Sequence, residues 1–382
     1  MQFTIKMIPL AAAIAFAFAG AASAAEEQIV KIGHVGPISG PIAHLGKDNE
    51  NGGKMAIERL NAKGLVIGGK KIKFELMTED DAGDPKQGTT VAQILVDAHV
   101  NGVIGHLNSG TTIPASKIYY DAGIPQISPS ATNPKYTQQG FNTAFRVVAN
   151  DAQLGGTLGR YAVKMLKAKS VAVIDDRTAY GQGVAEEFMK AAKAAGATVA
   201  SQQYTNDKAT DFNAILTTIK SKKPDVIFFG GMDAVAGPML RQMKQLGIEA
   251  KFMGGDGICS AALSKLAGDA IGENKVICAE AGGVPEAEKA PMNKFLADYK
   301  KKYGINVQIY APYVYDAVNV MVAAMQKANS VEPAKYLPEL AKIHYQGITG
   351  PIAFDAKGDI KDGSLTMYTY KGGKKTMLAV VK

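Results

Sequence analysis

Hydroxyl side chains cluster twice within residues 103–134. The first cluster, in VIGHLNSGTTIPASK, sets Ser109, Thr111 and Thr112 after the apolar pair Val103-Ile104 and ahead of Pro114. The second, in IPQISPSATNPKY, sets Ser130 and Thr132 ahead of Pro134. Each unit reads as a strand end, a hydroxyl loop and a helix opened by proline, whose missing N–H is not needed at the first helical position. A helix N-terminus has free backbone N–H groups, so two of them with hydroxyls nearby suit a small anion such as a carboxylate. Either loop alone reads equally well as an ordinary N-cap; the pairing is what favours a site. Further along, Asp256 in GGDG offers an acceptor for a cation, although Asp beside Gly is also a common turn signal.

Other chemistries find little support. The histidines, His34, His44, His99, His106 and His344, show no HExxH or paired metal spacing. There is no Gly-x-Ser-x-Gly elbow for a nucleophile. EDDAGD does not match a calcium loop, and YGQGVAEE lacks the dinucleotide fingerprint. The reading is therefore of a binding protein without cofactor or metal, not an enzyme. The net charge is +8, but its lysine runs sit at expected helix ends: Lys220-Lys222-Lys223, Lys300-Lys301-Lys302 and Lys63. Cations there complement open carbonyls and the helix dipole. A nucleic-acid binder would gather them in one stripe, so no nucleic-acid partner is expected.

The elements that must hold these loops alternate. At 382 residues the chain has room for about two domains at one per ~150 residues. Residues 1–24 read as a signal peptide: Lys6, an apolar run from Ile8 to Ala19, then Ala22-Ser23-Ala24 as a cleavage site. An exported, monomeric protein follows. Strands are expected at 28–35, 71–77, 100–104, 124–127 and 145–148, then at 170–175, 198–204, 225–229, 251–253 and 276–279, with helices between most of them and a GGDG loop after 251–253. DDRTAYGQG is read as a loop, with the next helix starting at Val184. A long helix to Tyr303 and another over 312–328 follow, then an extended run over 347–354 and a hairpin about Gly372-Gly373. Such alternation argues for two doubly wound α/β domains with parallel sheets covered on both faces. Cys259 and Cys278 are compatible with one disulfide or with two buried thiols.

In order, GPISGPIAHLG, NAKG, EDDAGDPKQ, VIGHLNSGTT, ISPSATNP, DDRTAYGQG, FFGG and FMGGDG resemble the leucine/isoleucine/valine-type amino-acid binding proteins of ABC importers, over essentially the whole chain after residue 24. The resemblance implies a periplasmic protein with two lobes joined by three crossings, a ligand in the cleft and a membrane permease as partner. One lobe would combine 28–148 with 282–352 and the other 150–278 with 355–382, with hinges near 148–150, 278–282 and 352–355. It implies ligand contacts from Leu107, Asn108, Ser109, Ser130, Ala131 and Thr132 on one lobe, and from Tyr180, Met232, Asp256 and Gly257 on the other. Leu45 would add an apolar wall, as would Tyr315, or Tyr313 in the alternative register. Several relatives carry aromatics where this chain has Leu45 and Met232, and some carry a cysteine pair at the positions of Gly83 and Asn108. A branched-chain amino acid is the leading ligand. The alternative is a sensor-type binder of an amide or small organic acid.

Overall fold

The computed structural model describes residues 1–2 and 27–381; the body of the expected signal peptide, residues 1–24, lies outside the described residues. The first series runs β1 (Glu27–Gly36), α1 (Ala43–Ala62), β2 (Val66–Ile67), β3 (Lys70–Asp80), α2 (Pro85–Asp97), β4 (Gly102–Ile104), α3 (Ser109–Asp121), β5 (Gln126–Ser128), α4 (Lys135–Gln138) and β6 (Ala144–Arg146). The second runs α5 (Asp151–Lys164), β7 (Ser170–Asp175), α6 (Ala179–Ala194), β8 (Thr198–Tyr204), α7 (Asn213–Lys222), β9 (Val226–Gly230), α8 (Asp233–Gln245), β10 (Lys251–Gly254), α9 (Leu263–Ala267) and β11 (Val276–Glu280). Then come α10 (Ala290–Tyr303), α11 (Ala311–Lys327), α12 (Pro333–Ala341), the hairpin β12 (His344–Gly347) and β13 (Gly350–Ala353), and a last hairpin β14 (Leu365–Lys371) and β15 (Lys374–Val381).

Two sheets result. One has the order β2-β3-β1-β4-β5-β6 and the other β15-β14-β11-β10-β9-β7-β8. From β3 to β6 and from β11 to β8 neighbouring strands are parallel. Central strands such as β9, VIFFG, are buried at every position, as strands covered by helices on both faces must be. This is the expected two-lobed, doubly wound α/β architecture. In each sheet the strand order reverses, between β1 and β4 and between β7 and β9. Loops at the carboxyl ends of strands beside such a reversal form the natural ligand crevice.

Several elements differ from the sequence expectation. Helix α3 begins at Ser109, so Pro114 lies inside it and does not open it. The loop itself folds into the first turn because the Thr111 and Thr112 hydroxyls bond the Asn108 carbonyl at 3.0 and 2.8 Å. Helix α6 begins at Ala179, not Val184, because Thr178 accepts from the Gly181 N–H at 2.9 Å and caps it. Helices α9 and α12 fall outside the expected elements; α12 holds Pro338 within it, a residue unfavourable in a helix interior. The extended run over 347–354 is half of a hairpin. A disulfide joins Cys259 to Cys278 with Cα atoms 5.4 Å apart, tying the segment after Asp256 to β11.

Candidate functional site

Most of the residues singled out in the sequence gather where the carboxyl ends of both sheets face each other. From the first lobe come the start of α3 and the loop after β5. From the second come the starts of α6 and α8 and the turn after β10. Helix α3 has no side-chain cap from Asn108, so its first N–H groups and positive dipole end are left for another acceptor.

The hydroxyls divide by what they already bond. Ser130 donates to the Leu107 carbonyl at 3.0 Å and so ties the two loops together. Ser128 accepts from the Ala131 N–H at 2.9 Å. Ser109 Oγ accepts from the Asn133 N–H at 3.1 Å and keeps its own proton to donate. Thr132 Oγ1 is buried and has no hydrogen-bond partner. Arg146, fully buried, holds this loop from behind. Its guanidinium donates to the carbonyls of Ala131 at 2.7 Å and Asn133 at 3.0 Å, and to Asp359 at 2.7 Å. No motif marked Arg146 in the sequence.

The opposite wall centres on Asp256, which is fully buried. Tyr180 donates to Oδ1 at 2.8 Å and Tyr310 donates to Oδ2 at 2.9 Å. Burial pushes the Asp256 carboxyl up to about 6, with both tyrosine hydroxyls opposing that rise. Burial, reinforced by the charge of Asp256, raises Tyr180 and Tyr310 well above the usual phenol range, so both stay protonated and donate. Each carboxylate oxygen retains acceptor capacity after one such bond. Gly257 closes the turn: a Cβ there would sit 2.7 Å from Met232 Sδ and 2.8 Å from Tyr180 Cε1, so only glycine lets the three pack together.

Tyr310 escaped the sequence reading, and its placement is built. Asp48 on α1 accepts from the N–H groups of Gln308, Ile309, Tyr310 and Ala311 at 2.9–3.1 Å. This carboxylate caps the start of α11 and aims Tyr310 at Asp256. Tyr315, by contrast, is turned elsewhere: its hydroxyl accepts from Arg59 at 3.2 Å and its ring packs on Phe295 at 5.1 Å. Tyr313, the alternative register, faces Glu280 and the Gly282 backbone. One helical turn separates it from the tyrosine that meets the carboxylate. Leu45 is fully buried in the apolar core behind the cleft.

A second carboxylate was also missed. Asp151, first residue of α5, is fully buried and neither oxygen has a hydrogen-bond partner. Burial pushes it up to about 8; the adjacent Thr132 hydroxyl opposes that, and the Asp256 charge adds to it. At neutral pH Asp151 is therefore mostly protonated, and Asp256 supplies the negative charge of this wall.

The lobes are closed on one another. Besides Tyr310–Asp256, Asn133 Nδ2 donates to the Ala179 carbonyl at 2.6 Å, and His44 Nε2 meets Asp233 Oδ2 at 2.7 Å. Among the described residues no group of His, Cys, Asp or Glu is placed to hold a metal ion, and no helix is long and apolar enough to cross a membrane.

The chain is similar to known proteins over most of its length. A family model described as periplasmic binding protein matches residues 29–375. A leucine-, isoleucine-, valine-, threonine- and alanine-binding protein of Pseudomonas aeruginosa is 36% identical over 370 residues, 96% of each chain. A Leu/Ile/Val-binding protein homolog of Brucella abortus is 37% identical, covering 96% of this chain and 95% of its own. Among solved structures, a leucine binding protein from Thermotoga maritima superposes with a TM-score of 0.85 at 28% identity, over 92% of this chain and 99% of that one. A branched-chain amino acid transporter substrate binding protein from Streptococcus pneumoniae, in complex with isoleucine, gives 0.83 at 27% identity, over 93% and 99%. A closed two-lobed cleft, donors on one wall and a buried carboxylate on the other, and matches of this extent make the chain a member of the periplasmic binding protein family.

Proposed function

We propose that this protein captures a small α-amino acid, branched-chain side chains favoured, between its lobes and delivers it to the membrane permease of an ABC importer. The observation that carries this is the buried Asp256 carboxylate, held by Tyr180 and Tyr310, facing a wall of N–H and hydroxyl donors. An α-amino acid is a zwitterion, and burying either charge without a partner is costly. Its carboxylate takes the α3 N-terminus, Ser109 and Thr132. Its ammonium takes Asp256, the Thr132 oxygen and the Ser130 carbonyl. Charge-assisted bonds contribute ~1.5–3 kcal/mol each. A micromolar complex needs about 8 kcal/mol net of association costs, so apolar contact must add to them. Leu107, Ala131, Met232 and the tyrosine rings supply it, with Gly257 leaving room for backbone approach.

The same reading makes the protein a periplasmic monomer, freed of its leader after about Ala24. Its lobes, 28–148 with 282–352 and 150–278 with 355–382, turn about segments near 148–150, 278–282 and 352–355. The hydrogen bond from the Ala149 N–H to the Ala281 carbonyl, 2.9 Å, lies in that region and supports it. Titration calorimetry with leucine, isoleucine and valine tests the proposal. Micromolar or tighter binding, with the ligand recovered unchanged, is expected. No binding of any α-amino acid, or turnover of the ligand, would overturn it.

A further inference from the structure

Arg146 does more than brace one loop. Its Nη1 donates to the carbonyls of Ala131 and Asn133, and the carbonyl between them, that of Thr132, accepts from the Asp151 N–H at 2.8 Å. Three successive carbonyls are thus engaged, two by a strand of the first lobe and one by the first residue of α5 in the second. The buried guanidinium needs a countercharge, since a buried cation without a partner is costly. Asp359 supplies it from 213 residues away. Its Oδ1 accepts from Arg146 Nε at 2.7 Å and from the Thr137 hydroxyl at 2.9 Å, and Thr137 Oγ1 accepts from Arg146 Nη2 at 2.8 Å.

The other oxygen of Asp359 reaches toward the second lobe. Oδ2 accepts from Asn150 Nδ2 at 3.2 Å. Asn150 is the N-cap of α5, and its Oδ1 accepts from the Ala152 and Gln153 N–H groups at 3.1 and 3.3 Å. One carboxylate therefore joins the arginine behind the ligand loop to the cap of a second-lobe helix, at the segment 148–150 where the lobes turn on the reading above. Asp359 is itself fixed. The Arg146 N–H donates to the Gly358 carbonyl at 2.9 Å, and Asp355 Oδ1 accepts from the Lys357 and Asp359 N–H groups at 2.8 and 3.0 Å. Gly358 has a φ of +92°, and a Cβ there would run into the Ala144 carbonyl, so glycine is what lets this turn lie against β6.

We propose that Asp359 and Arg146 are positioning residues of the amino-acid site, coupling the segment at 148–150 to the loop of Ala131, Thr132 and Asn133. This rests on the amino-acid reading above and adds two residues that touch no ligand. A turn of α5 away from the first lobe pulls on the Asn150–Asp359 and Asp151–Thr132 bonds together, so hinge and loop change as one.

Calorimetry with leucine, beside urea unfolding, on the unaltered protein, Asp359→Asn, Thr137→Val and the two combined tests it. Calorimetry separates the competent fraction, read as stoichiometry, from the affinity of the competent molecules. A role in the fold alone would lower stoichiometry or the unfolding midpoint and leave that affinity unchanged. Positioning is expected to lower it about tenfold in Asp359→Asn, the worth of one charge-assisted bond, and about threefold in Thr137→Val, which keeps both charges. The combined variant should lose no more than Asp359→Asn alone, because both changes break one relay. Affinity of Asp359→Asn within twofold of the unaltered protein would overturn the proposal, as would losses that add in the combined variant. Should Asp359→Asn not fold, Thr137→Val decides, and unchanged affinity there overturns it. Leucine binding by the unaltered protein in those cases leaves the amino-acid reading standing. No binding of leucine, isoleucine or valine by the unaltered protein would overturn both.

Discussion

At the scale of single residues, the site depends on keeping one buried carboxylate ionised. Asp256 does so because two phenols donate to it, and a ligand ammonium would complete its shell. Asp256→Asn retains the shape and removes the charge; it is expected to lower amino-acid affinity at least ~100-fold, with a circular dichroism spectrum like that of the parent. The carboxyl sits at about 6 in the ligand-free site, and only its ionised form attracts a cation. Affinity should therefore rise with pH through about 6 and level off above it, a profile that Asp256→Asn should abolish. The stability effect has the opposite sign. A carboxyl raised above its unfolded value of 3.8 stabilises the ligand-free fold fully below about 4, and that contribution is lost as pH climbs through about 6. Ser109 and Thr132 stood out in the sequence as members of paired hydroxyl loops and Asp256 as the acid of a GGDG turn, whereas Tyr180 was pointed to only by the family resemblance. Nothing in the sequence marked Tyr310 or Asp151. Tyr310 reaches Asp256 only because Asp48, far away in the sequence, caps α11. Asp151 looks like any acid in a first helical turn until the fold buries it.

At the scale of elements, helix starts do the positioning. Strands β7 and β8 were legible to the residue, since apolar runs bounded by polar turns leave little choice. Helix starts were less legible: a cap decides them, and whether Thr178 or a later residue caps α6 depends on where Asp176 holds the loop. The His44–Asp233 contact joins the start of α1 to the start of α8 across the cleft, with Ser260 donating to the same Asp233 oxygen. Burial lowers the His44 pKa, but the hydrogen bond and charge of Asp233 outweigh it and the net shift is upward. Protonated His44 thus favours the closed form, and the contact weakens as pH rises through its raised pKa. His44→Ala should raise the open fraction of the ligand-free protein, read as a larger radius of gyration by X-ray scattering at pH 6. An unchanged radius would remove this contact from closure. The Cys259–Cys278 bridge fixes the segment that carries Asp256. The loop it closes spans 19 residues, for which chain entropy gives about 3 kcal/mol of stabilisation. Cys259→Ala with Cys278→Ala should lower the unfolding free energy by that order in urea titration.

At the scale of the whole molecule, the two carboxyl-end crevices are useful only when they face each other. On the proposed reading one lobe meets the carboxylate and the other supplies the only charged partner of the ammonium, so neither half-site would hold an amino acid well in the open form. A ligand shifts the open–closed equilibrium only by its differential contacts with the two states, and a zwitterion touching both walls has many. The closed pair would then offer the permease a surface that the open form lacks. The most direct test compares leucine, by calorimetry, with 4-methylpentanoate, which lacks the ammonium, and 3-methylbutylamine, which lacks the carboxylate. The account predicts that each loses at least ~100-fold in affinity, since each leaves one buried wall unpaired. Affinities for either analogue within about threefold of leucine, less than the ~1.4 kcal/mol of a tenfold change, would contradict it.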